Sequence, residues 1–173
     1  MGKRSNFDRI PRDFYPTPLE AVRPLLPHLP AGSSFIEPCA GNGALVDHLT
    51  TAGHICALAS DIEPKRADIH TGDALTMQVY GVDFYITNPP WTRKVLHPLI
   101  ANLSRQAPTW LLFDADWIHT RQSTQFMPLL HKVVSVGRVK WIADSPFTGK
   151  DNCCWYLFDA KRLANTQFIG RAA

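Results

Sequence analysis

Apolar residues come in short runs along this chain, and nearly every run stops at an acidic residue or at proline. Phe35-Ile36 runs into Glu37-Pro38, Ile55 to Ala59 ends near Asp61, Phe84 to Ile86 leads to Asn88-Pro89-Pro90, and Trp110 to Phe113 ends at Asp114. Runs of this length bounded by turn residues predict buried strands. Between them, 43–53 and 93–106 carry apolar residues at helical spacing, the first closed by Gly53, and predict amphipathic helices. Thr17 followed by Pro18 predicts an N-cap and first turn for a helix over 17–29, with Pro24 limiting its regularity. Residues 67–75 predict a short extended segment ending near Asp73, and 123–133 a further helix. Segments 133–142 and 152–160 predict two strands joined by the loop 143–151.

Strands alternating with helices predict a parallel-rich, doubly wound α/β sheet with an antiparallel pair at its end. Ligands of such sheets bind at the carboxyl ends of the strands. The residues expected there are Glu37, Asp61, Asp73-Ala74, Asn88-Pro89-Pro90-Trp91 and Asp114-Ala115-Asp116-Trp117. Trp110, Trp141 and Trp155 lie in apolar runs and are expected in the core. Trp117, at a strand end, suits either a pocket wall or packing.

Composition adds bounds rather than a function. A chain of 173 residues with 45% apolar and 19% charged residues fits one globular domain over 1–173. Residues 1–15, with Lys3, Arg4, Arg9 and Arg12, read as a flexible basic arm. A net charge of +3 permits a polyanionic partner without demanding one. The 4 cysteines include no Cys-x-x-Cys, and the histidines lack zinc-ligand spacing, so reduced thiols and no metal are expected. Cys153 and Cys154, adjacent on a strand, should point to opposite faces. The start of the chain has no signal-peptide core and no apolar run reaches membrane-spanning length, so a cytoplasmic protein is expected.

Chemistry enters with Glu37-Pro38-Cys39-Ala40-Gly41-Asn42-Gly43. Glycines at 41 and 43 would let the backbone pass close to a ligand just before a helix. A dinucleotide fingerprint would need its third glycine at Val46, so a pyrophosphate cradle is not expected. Glu37 would repel a phosphate and suits a cationic or ammonium group instead. Asp61, at the end of the next strand, stands where a carboxylate accepts from ribose hydroxyls. A nucleoside with a positive end and no phosphates describes S-adenosylmethionine. Asp73 could accept from the exocyclic amine of its adenine, with the Ala74 backbone completing that edge. The plainer alternative is a glycine-capped turn beside two solvated carboxylates.

Asn88-Pro89-Pro90-Trp91 is an unusual strand end. Pro90 has no N–H and holds Pro89 extended, so the Asn88 side-chain oxygen and the Pro89 carbonyl can converge. Two converging acceptors bind the hydrogens of an –NH2 group and favour a tetrahedral nitrogen whose lone pair is free to attack. Trp91 would offer a stacking face to a flipped purine. The alternative is a proline-rich surface turn with Trp91 packed in the core.

In order and content these motifs resemble the class I S-adenosylmethionine-dependent methyltransferases, and among them the DNA adenine-N6 methyltransferases. The resemblance spans nearly the whole chain. "DFYPTP" (13–18) is similar to their N-terminal motif, "FIEPCAGNGAL" to their cofactor loop, "DIEP" and "GDAL" to their ribose and adenine motifs, and "NPPW" to their catalytic tetrapeptide. The segments "GRVKWI" and "SPFTGKDNCCWYLF" resemble the C-terminal part of small phage and prophage members. The resemblance implies a mostly parallel, seven-stranded Rossmann-like sheet with an antiparallel last strand. It implies S-adenosyl-L-methionine held by Tyr15, Thr17, Glu37, Ala40, Gly41, Gly43, Asp61, Asp73 and Ala74, with Asn88, Pro89, Pro90 and Trp91 as catalytic residues. It also implies double-stranded DNA with a flipped adenine as the acceptor.

One departure matters: no segment is long enough for a separate target-recognition domain. Readout would fall to loops carrying Arg93 and Lys94, Trp117 and Arg121, and Lys150, with Phe147 matching the aromatic of the target-base pocket. Low specificity or a short site is therefore expected, unless a partner subunit supplies it. Three alternatives are RNA adenine, a protein glutamine amide as acceptor, or a non-catalytic subunit with the methyltransferase fold.

Overall fold

In the strand β5 (Thr109–Asp114), successive side chains leave on opposite sides of the sheet, as a pleated strand requires. Trp110 and Leu112 enter one core, while Leu111 and Phe113 enter another. Phe35 and Ile36 of β1 (Ser34–Glu37), Tyr85 and Ile86 of β4 (Phe84–Thr87), and Trp155 and Tyr156 of β7 (Asn152–Phe158) divide the same way. Both faces of the central strands are therefore buried, which explains why these runs are apolar throughout instead of alternating. Cys153 and Cys154 fall on opposite faces, and all 4 cysteines are free thiols.

The computed structural model describes residues 14–142, 148–161 and 165–171. With β2 (Ile55–Asp61), β3 (His70–Thr71), β6 (Leu130–Arg138) and β8 (Gln167–Ile169), the strands form one 8-stranded sheet in the order β3-β2-β1-β4-β5-β7-β6-β8. Strands β1 to β5 pair in parallel, and β7 runs antiparallel between β5 and β6. The doubly wound α/β architecture is thus as read from the sequence. The short β8 is an addition: it pairs in parallel with β6, and all its residues are exposed, so no apolar periodicity marked it.

Helix α1 (Leu19–Val22) and α2 (Ala44–Thr51) cover one face through Ala21, Val22, Leu45 and Leu49. Helix α3 (Arg93–Leu103) covers the other through Leu96, Leu99, Ile100 and Leu103. An isolated helix of that length is marginal in water. Burying each of these four side chains contributes about 1.5–3 kcal/mol, so packing holds α3 in place.

Three local expectations change. Helix α1 starts after Pro18 and no side chain caps it; the Thr17 hydroxyl is engaged by Asn88, 71 residues away. Segment 123–133 is not an α-helix: a 3-10 helix spans Arg121–Leu129 and β6 begins at Leu130. Apolar Leu130, Val133 and Val134 are needed by the sheet cores, and that demand overrides local helical spacing. Trp141 lies beyond β6, half-buried rather than in the core.

Trp117 is buried among Phe113, Phe126, Tyr156 and Phe158, and its indole N–H donates to His97 Nε2 at 3.1 Å. That bond requires a neutral imidazole. Burial first, then the Arg93 charge, lowers the His97 pKa below its ordinary 6.5. The unfolded chain therefore binds a proton that the folded imidazole resists, so this stability is present above pH 6.5 and is lost as the pH falls further. Chemical denaturation at pH 7.5 and about pH 5.5 should show the acid loss, and His97→Gln should reduce it, leaving the part due to His28 and His54, whose pKa values burial also lowers.

Candidate active site

The sheet's strand order reverses between β1 and β4, opening a crevice at the carboxyl ends of those strands. A cavity of about 710 Å³ fills it. The turn after β1 is docked onto β2: Ala40 N–H donates to the Ser60 carbonyl at 2.9 Å, and Gly41 N–H donates to Asp61 Oδ2 at 2.8 Å. Both glycines have positive φ, +54° at Gly41 and +80° at Gly43. Their lack of side chains serves neighbours within the chain. A Cβ on Gly41 would sit 2.7 Å from the Phe14 ring, and one on Gly43 would run into the Arg66 guanidinium. Arg66 is fixed there by Asp47 at 2.7 Å and Asp68 at 2.7 Å.

Glu37 is only 2% exposed, and its Oε2 has no hydrogen-bond partner. Burial first, then the negative charge of Asp61, pushes its pKa well above the carboxylate range. A buried, unpartnered carboxyl oxygen on a cavity wall is costly, and a ligand cation would relieve it. Asp61 uses Oδ2 for Gly41 and Oδ1 for the Glu63 N–H at 2.8 Å. Each oxygen keeps a further lone pair for hydroxyl donors. Asp73 Oδ1 accepts the Leu75 N–H at 2.9 Å, and Ala74 is buried beside it. Cys39 also lines the cavity, with its thiol pushed up to about 12 chiefly by burial, so it stays neutral and is a weak nucleophile.

At the end of β4 the Asn88 amide is held from both sides. Its Nδ2 donates to Thr17 Oγ1 at 3.2 Å and reaches the Tyr15 carbonyl at 3.5 Å. Its Oδ1 accepts the Trp91 indole N–H at 3.3 Å. Trp91 is half-buried against both cores and meets Trp141 edge-on, ring centroids 5.9 Å apart. Trp141 also touches Tyr15, at 6.4 Å. A residue expected in the core thus belongs to an aromatic cluster beside Asn88.

Of the expected cofactor residues, the cavity wall includes Tyr15, Thr17, Glu37, Ala40 and Gly41, and also Asp61, Asp73 and Ala74. Gly43 stands behind the wall. Asn88 and Pro90 line the same cavity, whereas Pro89 and Trp91 do not. Trp117 is a correction: it is only 4% exposed and packs in the core, so it has no face to offer a ligand. Arg93, Lys94, Arg121 and Lys150 are exposed. They follow β4, follow β5 or precede the antiparallel β7, so they sit toward the carboxyl ends of the central strands. Phe147 and the arm residues 1–13 lie outside the described residues.

Sequence reading missed Phe14, Ile62, Leu75 and Val95 on the wall. Ile62 is 60% exposed directly after Asp61, an apolar side chain in an acidic turn that could have been noticed. Among the described residues, no group of three or more His, Cys, Asp or Glu is placed to hold a metal, and no helix is long and apolar enough to cross a membrane.

Neither a protein-family model nor a curated protein sequence matches the chain. Solved structures do. A proposed RNA methyltransferase from Pyrococcus horikoshii superposes with a TM-score of 0.62 at 16% identity, covering 91% of this chain and 92% of that one. The chain has the class I methyltransferase fold. A dimethyladenosine transferase from Plasmodium falciparum shares this methyltransferase fold with a TM-score of 0.59 and 14% identity, over 86% of this chain and 63% of that one. A type I restriction-modification methyltransferase subunit from Streptococcus thermophilus gives 0.58 and 9%, over 90% and 47%. The chain spans less than two thirds of the length of these last two.

Within this methyltransferase fold, Gly43 should tolerate little change. Gly43→Ala should lower the unfolding free energy by about 1–3 kcal/mol, from left-handed backbone strain plus the displaced Arg66. In an Arg66→Ala background the loss should shrink to the strain alone, as a denaturation double-mutant cycle would read.

Proposed function

We propose that this chain is an S-adenosylmethionine-dependent methyltransferase that methylates adenine N6 in DNA. The observation that carries the reading is one continuous cavity joining Glu37, Asp61 and Asp73 to Asn88 and Pro90. Acceptors suited to a cationic nucleoside thus share a space with the end of β4. The orphaned Glu37 oxygen fits the ammonium group, Asp61 the ribose hydroxyls, and Asp73 with Ala74 the adenine edge. Ile62 and Leu75 add apolar surface on the same wall. Bound there, the cofactor would supply an electrophilic sulfonium methyl.

The chain's own residues then act on the acceptor. Asn88 Oδ1, on the cavity wall, accepts one hydrogen of the target amine and favours the tetrahedral nitrogen, and the motif assigns the second hydrogen to the Pro89 carbonyl, which lies off the wall in the free protein. Once methylated, that nitrogen is acidic and loses its proton without a strong base. Cys39, kept neutral, does not compete for the methyl group. Arg93, Lys94, Arg121 and Lys150 would contact phosphates, which positions a strand without reading its sequence. Low sequence specificity follows from so few candidate readers.

RNA is the second reading. It is favoured by the names of two fold neighbours, a proposed RNA methyltransferase and a dimethyladenosine transferase. Labelled methyl offered with DNA, RNA and protein in parallel separates the acceptors, and the expected incorporation is into DNA adenine. Asn88→Ala should lower transfer by about 100- to 1,000-fold while calorimetric cofactor binding survives. Transfer unaffected by that change would remove the mechanism, and absent cofactor binding would favour a non-catalytic subunit.

Glu37 makes a separate prediction. Because its pKa is raised in the free protein, binding an ammonium group should expel a proton and affinity should strengthen as pH rises toward that raised value. Calorimetry in buffers of different ionisation heat should detect the released proton, and Glu37→Gln should abolish both the release and the slope.

A further inference from the structure

An asparagine amide can present either an oxygen or an –NH2 to a cavity, and only the oxygen can accept from a substrate amine. Asn88 is held in one of these two orientations. Its Nδ2 faces the Tyr15 carbonyl at 3.5 Å and Thr17 Oγ1 at 3.2 Å, while its Oδ1 faces the Trp91 indole N–H at 3.3 Å. A carbonyl only accepts and an indole N–H only donates. Turning the amide over would set oxygen against oxygen at Tyr15 and donor against donor at Trp91. Thr17 makes the shorter of the two Nδ2 contacts and is only 5% exposed, so water does not readily replace it.

We infer that Thr17 is a positioning residue for Asn88: with the amide's orientation selected by the Tyr15 carbonyl and the Trp91 N–H, the Thr17 hydroxyl accepts an amide hydrogen and holds the side chain so that its oxygen is presented to the amine. This rests on the proposed methyl transfer and gives Thr17 a role besides that of a cofactor contact. The Trp91 N–H marks a direction from which a donor approaches Oδ1, and the substrate amine takes its place or the remaining lone pair. Trp91 then acts through its indole N–H as well as through its ring.

Thr17→Val keeps the shape and removes the acceptor. With both substrates saturating, kcat should fall about tenfold, the effect of one lost hydrogen bond, while the cofactor KM changes less. Thr17→Ser should restore the rate. Should valine prevent folding, Thr17→Ala serves the same comparison. An activity-independent measurement accompanies these: the Asn88 side-chain amide resonances of the full chain, assigned by their loss in Asn88→Ala. In Thr17→Val those signals should shift and exchange faster with water, and in Thr17→Ser they should not. An unchanged kcat, an effect confined to the cofactor KM, or unmoved amide resonances would each overturn the inference. If the wild-type chain methylates none of the acceptors, the proposed function fails, and the resonances still decide whether Thr17 orients Asn88.

Discussion

The carboxylate of Asp61 is the fixed point of the site. One oxygen receives the Gly41 N–H and the other the Glu63 N–H, each at 2.8 Å. These two bonds tie the turn after β1 to the turn after β2. Without them the Gly41 N–H would lose its acceptor, and only the Lys65 N–H, which donates to the Gly41 carbonyl at 2.9 Å, would still hold that residue in its left-handed conformation over Phe14. The pairing of Glu37 with Ala59 and the Ala40 N–H bond to the Ser60 carbonyl set the register of that wall with the β2 end, and the Asp61 carboxylate adds to them. The same charge sits close enough to Glu37 to oppose its ionisation. A structural tie and an electrostatic strain therefore come from one residue, and the proposed cation would stabilise both carboxylates together.

Much of the fold was legible because the two-sided burial of the central strands leaves a plain mark, apolar runs cut off by Glu37, Asp61, Asn88 and Asp114. The candidate site was legible for the same reason, since Glu37, Asp61 and Asn88 among those residues line the cavity where the sheet reverses. What escaped notice depended on contacts distant in sequence. Thr17 looks like a helix cap, yet its hydroxyl serves Asn88. Gly41 and Gly43 look like openings for a ligand, yet the space belongs to Phe14 and Arg66. Segment 123–133 is helical only as far as Leu129, as a 3-10 helix, and the sheet takes Leu130 and Val133. Trp117 took the packing alternative and Trp141 left the core its neighbours suggested, because β5 leads into an aromatic core while the segment after β6 lies beside Tyr15 and Trp91.

Polar contacts within the site are arranged in two layers. The inner one belongs to single strand ends: Asp73 caps its own turn through Leu75, and Asp114 does the same through the Asp116 N–H. The outer one crosses between segments, with Arg66 joining α2 to the loop after β2 and Tyr15 and Thr17 joining the N-terminal segment to β4. Local caps set the shape of each turn, and cross-segment bonds set how the turns face one another. The proposed chemistry depends mainly on the second kind.

The edge-on pair of Trp91 and Trp141, centroids 5.9 Å apart with planes at 82°, has an optical consequence. Two indoles this close couple their electronic transitions and impose a signature on the circular dichroism of the native chain. The colour of Trp91 emission responds to whether its N–H faces Asn88 or water. The protein thus carries its own unlabelled reporter, placed beside the atom on which the proposed reaction turns.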